Sequence, residues 1–259
     1  MSISDRDDLV IIDNIPRANL WEDLKVTNKD GVIEGGQGAV AYRLSRQSRE
    51  DAPLFVYCNG NSSDIPNHGD LISYKITPFG DLLQWDYPGY GGSGGEVSYR
   101  AIAEASTHVL AAIEDMKRSP QQRVIFWGYS LGSFVCSDMA KGYDIDGLIF
   151  EAGAPSAKAV EPFLAPKTLR AFIKPKLPDS LRVVDNVAAL EPVEAKILMM
   201  SGAKDKILPV TLSRDFYNQL NASGHDVSYH EFNMADHFTI SWQEGFEEAV
   251  NSFLSDIQE

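Results

Sequence analysis

Apolar residues along the chain fall into two alternating patterns. Short continuous apolar runs, such as LFVYC at 54–58 and VIFW at 124–127, have the length and density of strands covered on both faces. GLIF at 147–150 and ILMM at 197–200 repeat that pattern, and LLQW at 82–85 is a weaker instance. Residues 39–44 and 227–232 alternate apolar and polar positions, as half-buried strands do. Between these runs lie stretches with helical spacing. Over 99–117, Ile102, Ala105, Val109 and Ile113 recur at three- and four-residue steps and predict an amphipathic helix. Helices are likewise expected over 131–141, over 210–220 with closure near Gly224, and over 241–257. The last has Ser241 as N-cap and Glu244 three residues on, a capping-box pattern. Strand–helix alternation of this kind predicts a mainly parallel central sheet with helices on both faces.

The rhythm breaks between about 155 and 192, where Pro162, Pro166, Pro175, Pro178 and Pro192 punctuate scattered apolar residues. This segment is expected to be a cap or lid inserted over one α/β domain spanning 1–259, not a second domain. With 44% hydrophobic residues in 259, the chain can bury a substantial core. A formal net charge of −14 argues against nucleic acid as a partner, since phosphate repels such a surface. No apolar run reaches the ~18 residues of a membrane span. The start of the chain, MSISDRDDLV, lacks a basic segment followed by an apolar one, so no secretory signal is expected. Two cysteines, Cys58 and Cys136, make neither a disulfide framework nor a zinc site. Both are expected as small buried apolar groups, and a reducing, cytoplasmic location is the default expectation.

Two pentapeptides match G-x-S-x-G, and context separates them. Gly128-Tyr129-Ser130-Leu131-Gly132 follows a strand and leads straight into a helix, the arrangement of a nucleophile elbow. Gly91-Gly92-Ser93-Gly94-Gly95 has no strand against it and reads as a flexible loop. A serine hydroxyl needs a base to take its proton, and that base needs an orienting carboxylate. Asp205, after the strand at 197–200, and His237, after that at 227–232, follow in the required order. Glu151, one strand earlier, is the rival acid, and Asp205 is preferred. His68 and His108 lie upstream of the serine, His225 lies in a polar turn, and His230 is expected to pack against a helix. Two N–H donors for a developing oxyanion are expected from Leu131, directly after the serine, and from Asn61 in the loop after LFVYC. Asp64 in that loop also reads as an ordinary helix N-cap.

With these elements in place the sequence resembles the α/β-hydrolase superfamily, from about Leu54 to the C-terminus. It is most similar to the α/β-hydrolase-domain branch that includes protein depalmitoylases. That branch shows a His-Gly-Asn loop and an Asp-Tyr-x-Gly-Tyr-Gly-x-Ser-x-Gly stretch; the latter stands here as Asp86-Tyr87-Pro88-Gly89-Tyr90-Gly91-Gly92-Ser93-Gly94-Gly95. The resemblance implies the α/β-hydrolase fold and a Ser130–Asp205–His237 triad. The chain departs at Cys58-Asn59-Gly60-Asn61, where Asn59 replaces the loop histidine.

The expected activity is hydrolysis of a carboxylic ester or thioester through an acyl-enzyme on Ser130, with no metal or organic cofactor. The expected partner is a small-molecule or acylated substrate, touched by Asn59, Gly60, Tyr129, Phe163 and Phe172. Lys167, Arg170, Lys174 and Lys176 form a basic stretch without acids among Leu164, Leu169, Phe172 and Ile173. Such a cap fits a lid over an acyl pocket, a peripheral contact with anionic headgroups, or simply a helix with solvated lysines. An amide or peptide hydrolase on the same triad and an inactive binding module on the same fold are the alternatives.

Overall fold

The computed structural model describes residues 25–35, 38–61, 63–165 and 175–258. Its centre is an eight-stranded sheet. The strands are β1 (Thr27–Ile33), β2 (Val40–Arg46), β3 (Leu54–Cys58), β4 (Asp81–Trp85), β5 (Val124–Tyr129), β6 (Gly147–Glu151), β7 (Lys196–Gly202) and β8 (Val227–Phe232). The order is β1-β2-β4-β3-β5-β6-β7-β8. The pairs β1/β2 and β2/β4 are antiparallel, and every later pair is parallel.

Helices α1 (Ile65–Ile76), α2 (Tyr99–Met116), α3 (Leu131–Ala140), α7 (Val210–Ala222) and α8 (Phe246–Asp256) cover the sheet. The continuous apolar runs of the inner strands are explained by burial on both sides. In β3, Leu54, Val56 and Cys58 join Val109 of α2 and Val135 of α3 in one apolar cluster. Phe55 and Tyr57, one residue out of phase, join Ile76 of α1 and Val250 of α8 in the other.

From β3 the chain crosses to β4 on one side, whereas β5 lies on the other. The carboxyl ends of β3 and β5, with Cys58 opposite Gly128, therefore flank a topological switch point, where neighbouring loops diverge and leave a crevice.

Several expectations are corrected. The helix read over 241–257 begins later: Ile240–Trp242 is a 3-10 turn, and α8 starts at Phe246 behind Gly245 with φ 85°. Ser241 is therefore not its N-cap, because a left-handed glycine separates it from the helix. His230 is exposed rather than packed against a helix, since β8 is the edge of the sheet. Cys58 and Cys136 are both fully buried and paired as a disulfide, joining the end of β3 to α3. Disulfides persist in oxidising compartments, so the pairing removes the cysteine-based argument for a reducing cytoplasm. Among the described residues no helix is long and apolar enough to cross a membrane.

The segment after β6 holds α4 (Ala157–Val160), a 3-10 turn (Glu161–Phe163), α5 (Asp179–Arg182) and α6 (Asn186–Leu190). An antiparallel bridge between Ser156 and Asp185, with Asn186 N–H donating to Pro155 O at 2.8 Å, closes the excursion at its base. The basic stretch from Lys167 to Lys174, including Phe172, lies outside the described residues.

One buried charge ties the antiparallel end of the sheet together. The Asp81 carboxylate accepts from Arg46 at 2.9 Å, Arg118 at 2.6 and 2.7 Å, Gln122 Nε2 at 3.0 Å and Gln47 N–H at 3.0 Å. Burial would raise its pKa, but these donors outweigh burial and hold it below the usual carboxylate range. A depressed folded-state pKa contributes stability above the unfolded value of about 3.9, lost as pH falls through the folded value. Asp81→Asn is therefore expected to cost about 2 kcal/mol at neutral pH, with the gap to wild type closing below about pH 4. Urea unfolding across pH checks this; a gap independent of pH would contradict it.

Candidate functional site

Ser130 sits between β5 and α3 with φ 53° and ψ −114°, a conformation L-residues avoid, at a cost of about 1–3 kcal/mol. Its neighbours make the turn sterically attainable. A Cβ on Gly128 would stand 2.6 Å from Gly132 O, and one on Gly132 would stand 1.9 Å from Cys58 O. Strand β3 and helix α3 thus approach more closely than any side chain allows. Ser130 N–H donates to Glu151 O at 2.9 Å, while Ser130 O accepts from Ser133 N–H at 3.0 Å and Ser133 Oγ at 2.7 Å. These bonds hold the strained turn from both sides.

Ser130 Oγ lies 3.0 Å from His237 Nε2, and His237 Nδ1 lies 2.6 Å from Asp205 Oδ2. Asp205 and His237 come from the loops after β7 and β8, so three carboxyl-end loops converge. Both residues are buried, His237 at 5% and Asp205 at 8% exposure. The other Asp205 oxygen accepts the N–H groups of Ile207 and Leu208, each at 2.8 Å. A carboxylate can only accept, so Nδ1 carries the proton and Nε2 faces the serine as an acceptor. The His237 loop is tied by Asp236, whose Oδ1 accepts Phe238 N–H at 3.0 Å and Thr239 Oγ1 at 2.8 Å. It is also tied by Tyr129, whose hydroxyl donates to His237 O at 2.9 Å. Tyr129, expected at the substrate, is thus engaged with the loop that carries the histidine. Burial, followed by the charges of Glu151, Asp205 and Asp236, pushes its phenol pKa well up, so it remains a donor.

The rival acid has another partner. Glu151 is 2% exposed and forms an ion pair with Lys75 Nζ at 2.7 Å, with Trp127 Nε1–H at 3.2 Å on the same oxygen. Lys75 also faces the rings of Tyr57, Trp127 and Tyr129 at 5.3–5.5 Å. Lys75 is not legible in the sequence: it lies on α1, which the sequence marks only by its Asp64 cap, and a lone lysine on such a helix carries no signal.

The loop after β3 sits across the elbow. Asn59 is 1% exposed; its Nδ2 donates to Trp85 O at 2.8 Å, and its own carbonyl accepts the Tyr87 hydroxyl at 2.8 Å. Asn59 therefore supports the loop from beneath, in the position where the resembled branch has histidine. Gly60 lies against the Tyr129 ring, where a Cβ would come within 2.7 Å. Asn61 is exposed at the mouth, and Leu131 opens α3 directly after Ser130. Asp64 caps α1, accepting Asn67 N–H at 2.9 Å.

The second G-x-S-x-G has a structural job. Ser93 Oγ donates to the backbone Asp86 O at 2.7 Å and accepts from Ala41 N–H at 2.8 Å. Asp86 is buried and accepts Ile65 N–H at 2.7 Å and Gly92 N–H at 2.9 Å. Burial raises its carboxyl pKa despite those donors.

Beside the elbow, Phe134, Ala154, Leu208 and Leu212 form a small apolar cluster with the half-buried Leu131 and Phe163 packed on it. Phe163 therefore reaches the same wall as the residue after the serine. The Asp205 and His237 loops expose Ile207, Met234 and Phe238 at 45%, 67% and 63%. Phe172 lies outside the described residues. Among the described residues no group of three or more His, Cys, Asp or Glu is arranged to hold a metal ion.

No family model matches the chain. An α/β serine hydrolase homologue from Coxiella burnetii superposes with a TM-score of 0.63 at 16% identity, covering 89% of this chain and 97% of that one. The chain has the α/β-hydrolase fold. Its site lies where the strand ends of that fold converge. By sequence, this α/β-hydrolase-fold chain is 26% identical over 195 residues to the uncharacterized protein Rv2307c of Mycobacterium tuberculosis, 74% of this chain and 64% of that protein. It is also 26% identical over 164 residues to phosphatidylserine lipase ABHD16A of Rattus norvegicus, 62% of this chain and 29% of that protein. The chain thus matches less than two thirds of the length of these curated relatives.

Proposed function

We propose that the chain is a serine hydrolase of carboxylic esters or thioesters, with Ser130, His237 and Asp205 as its catalytic triad. The observation that carries this reading is the continuous hydrogen-bonded line from Ser130 Oγ through His237 to Asp205. Ser130 Oγ attacks the acyl carbonyl carbon as its proton passes to His237 Nε2. The negative oxygen that forms is held by the N–H groups of Leu131 and Asn61. As the tetrahedral centre collapses, His237 returns that proton to the departing alcohol or thiol, leaving the acyl group on Ser130. Water then attacks this ester. His237 takes the water's proton, the carboxylic acid departs, and Ser130 regains its hydrogen.

Three further features favour an acyl chain as the group transferred. One is the apolar wall of Phe134, Leu131, Phe163 and Leu208 beside the elbow. A second is the exposure of Ile207, Met234 and Phe238 on the loops that carry the acid and the base. The third is the lipase name of the relative ABHD16A. In this reading residues 155–192 act as a cap, and Phe163 belongs to its inner, acyl-facing side.

Labelling with a fluorophosphonate followed by mass mapping tests the reading. An adduct on Ser130, lost in His237→Gln, is the expected result. A panel of p-nitrophenyl esters from acetyl to palmitoyl, run beside small peptide amides, then assigns the leaving group and chain length. Absence of any adduct on folded protein would overturn the reading.

A further inference from the structure

The oxyanion donors are useful only if they are held in place before the charge appears. Leu131 N–H is fixed by the helix it starts. Asn61 N–H has no such element, because Asn61 lies in an exposed turn beyond the end of β3. Within the turn Ser63 N–H donates to Gly60 O at 3.3 Å, and the remaining support comes from the neighbouring strand end. Three hydrogen bonds join the loop to the end of β4 and the segment after it: Asn59 Nδ2 donates to Trp85 O, the Tyr87 hydroxyl donates to Asn59 O, and the Tyr90 hydroxyl donates to Asn61 Oδ1 at 3.1 Å. The first two act on the buried root of the loop. The third acts on the residue whose backbone N–H is the proposed donor.

Tyr90 is itself held. Its ring meets Tyr87 edge-on at 5.7 Å, and Tyr87 meets Trp85 at 4.9 Å. Its N–H donates to Tyr87 O at 2.8 Å, and its carbonyl accepts Ser93 N–H at 2.9 Å. Asp86 closes the turn by accepting Gly92 N–H, and it reaches across to Ile65 N–H at the start of α1. Gly91, at φ 46°, lies so close to Asp86 that a Cβ there would stand 2.1 Å from Oδ2. One glycine-rich turn therefore grips the loop at its root and at Asn61, as well as the helix the loop runs into. The Tyr90 hydroxyl, in an exposed hydrogen bond, is the part of this grip that reaches Asn61 itself.

We propose that Tyr90 is a positioning residue for the oxyanion site, acting through its hydrogen bond to Asn61. The proposal rests on the reading of Asn61 N–H as an oxyanion donor. Tyr90→Phe removes the hydroxyl and keeps the ring contacts. In the full chain its kcat on a p-nitrophenyl ester is expected to fall about tenfold, with KM unchanged within about twofold, because the lost alignment matters only in the transition state. The Ki of an acyl trifluoromethyl ketone, which forms a tetrahedral adduct, is expected to rise by the same factor as kcat/KM falls. A purely structural role would lower Tm without this proportionality.

Asn61→Ala keeps the backbone N–H and removes the acceptor. It is expected to match Tyr90→Phe, and the double variant is expected to be no worse than either single. Tyr90→Phe with wild-type kcat, a loss confined to KM, or additive losses in the double variant would each overturn the proposal. Wild-type protein whose Ser130 fails to react with fluorophosphonate would overturn both this and the underlying reading. A reactive Ser130 with an unaffected Tyr90→Phe would overturn this proposal alone.

Discussion

Ser130→Gly is expected to abolish turnover and to make the protein more stable. The hydroxyl is the attacking atom in the proposed reaction, and removing such a nucleophile typically costs about 10⁴–10⁶ in kcat. The stability gain comes from the backbone. Ser130 holds φ 53° and ψ −114° without a side-chain cap bond to α3, so a Cβ is strained there for no local return. Glycine occupies that region without penalty, and relief of the strain, less the extra freedom glycine gives the unfolded chain, leaves a net gain of up to about 1 kcal/mol. Ester hydrolysis and urea unfolding measured on the same preparation check both halves. Retained turnover would rule out Ser130 as the nucleophile, and a less stable variant would show that the elbow is not strained.

Lys75→Met is expected to be the most damaging single change away from the triad. Glu151 and Lys75 are 3% and 10% exposed at their side chains and lie 2.7 Å apart. Removing the ammonium leaves a carboxylate in an apolar setting; among the described residues the Trp127 indole N–H at 3.2 Å is the remaining donor on the paired oxygen. Breaking one half of a buried pair typically costs about 3–5 kcal/mol. The double variant Lys75→Met/Glu151→Gln removes both charges and is expected to recover most of the stability. Activity should suffer with stability in the single variant, because Glu151 O accepts the Ser130 N–H and Tyr129 separates Lys75 from His237. Chemical unfolding of the single and double variants at neutral pH is the measurement. A double variant no better than the single would show that the pair's charges are not what matters.

Much of the architecture was legible because its cause is local. The runs at 54–58 and 124–127 are apolar at every position, since a strand with helices on both faces buries both sets of side chains. Ser130 was legible because a strand, a glycine-flanked serine and a helix in succession permit few other conformations. Asp205 and His237 followed from chain order. Less was legible where the cause is distant. Strand β1, TNKDGVI, is an exposed edge with a largely polar face and carries little apolar pattern. The start of α8 is not legible because Ser241 and Glu244 mimic a capping box, whereas Gly245 adopts the left-handed turn that starts the helix.

By itself, the sequence determined the inner strands, the helices after 99, 131 and 210, the position of the elbow, and two candidate acids for the histidine. These follow from side-chain periodicity and from the steric demands of one tight turn, which need no knowledge of the rest of the chain. Only the tertiary structure decided which acid faces His237. Glu151 ends β6 and Asp205 lies in the loop after the neighbouring β7, and it is Lys75, arriving from α1, that engages the first and leaves the second to the histidine. The tertiary structure also decided that Cys58 and Cys136 meet, that Asn59 can support its loop through Trp85, and that Tyr90 reaches Asn61. Each of these depends on two segments far apart in sequence being brought within a few ångströms, and no local pattern encodes that distance.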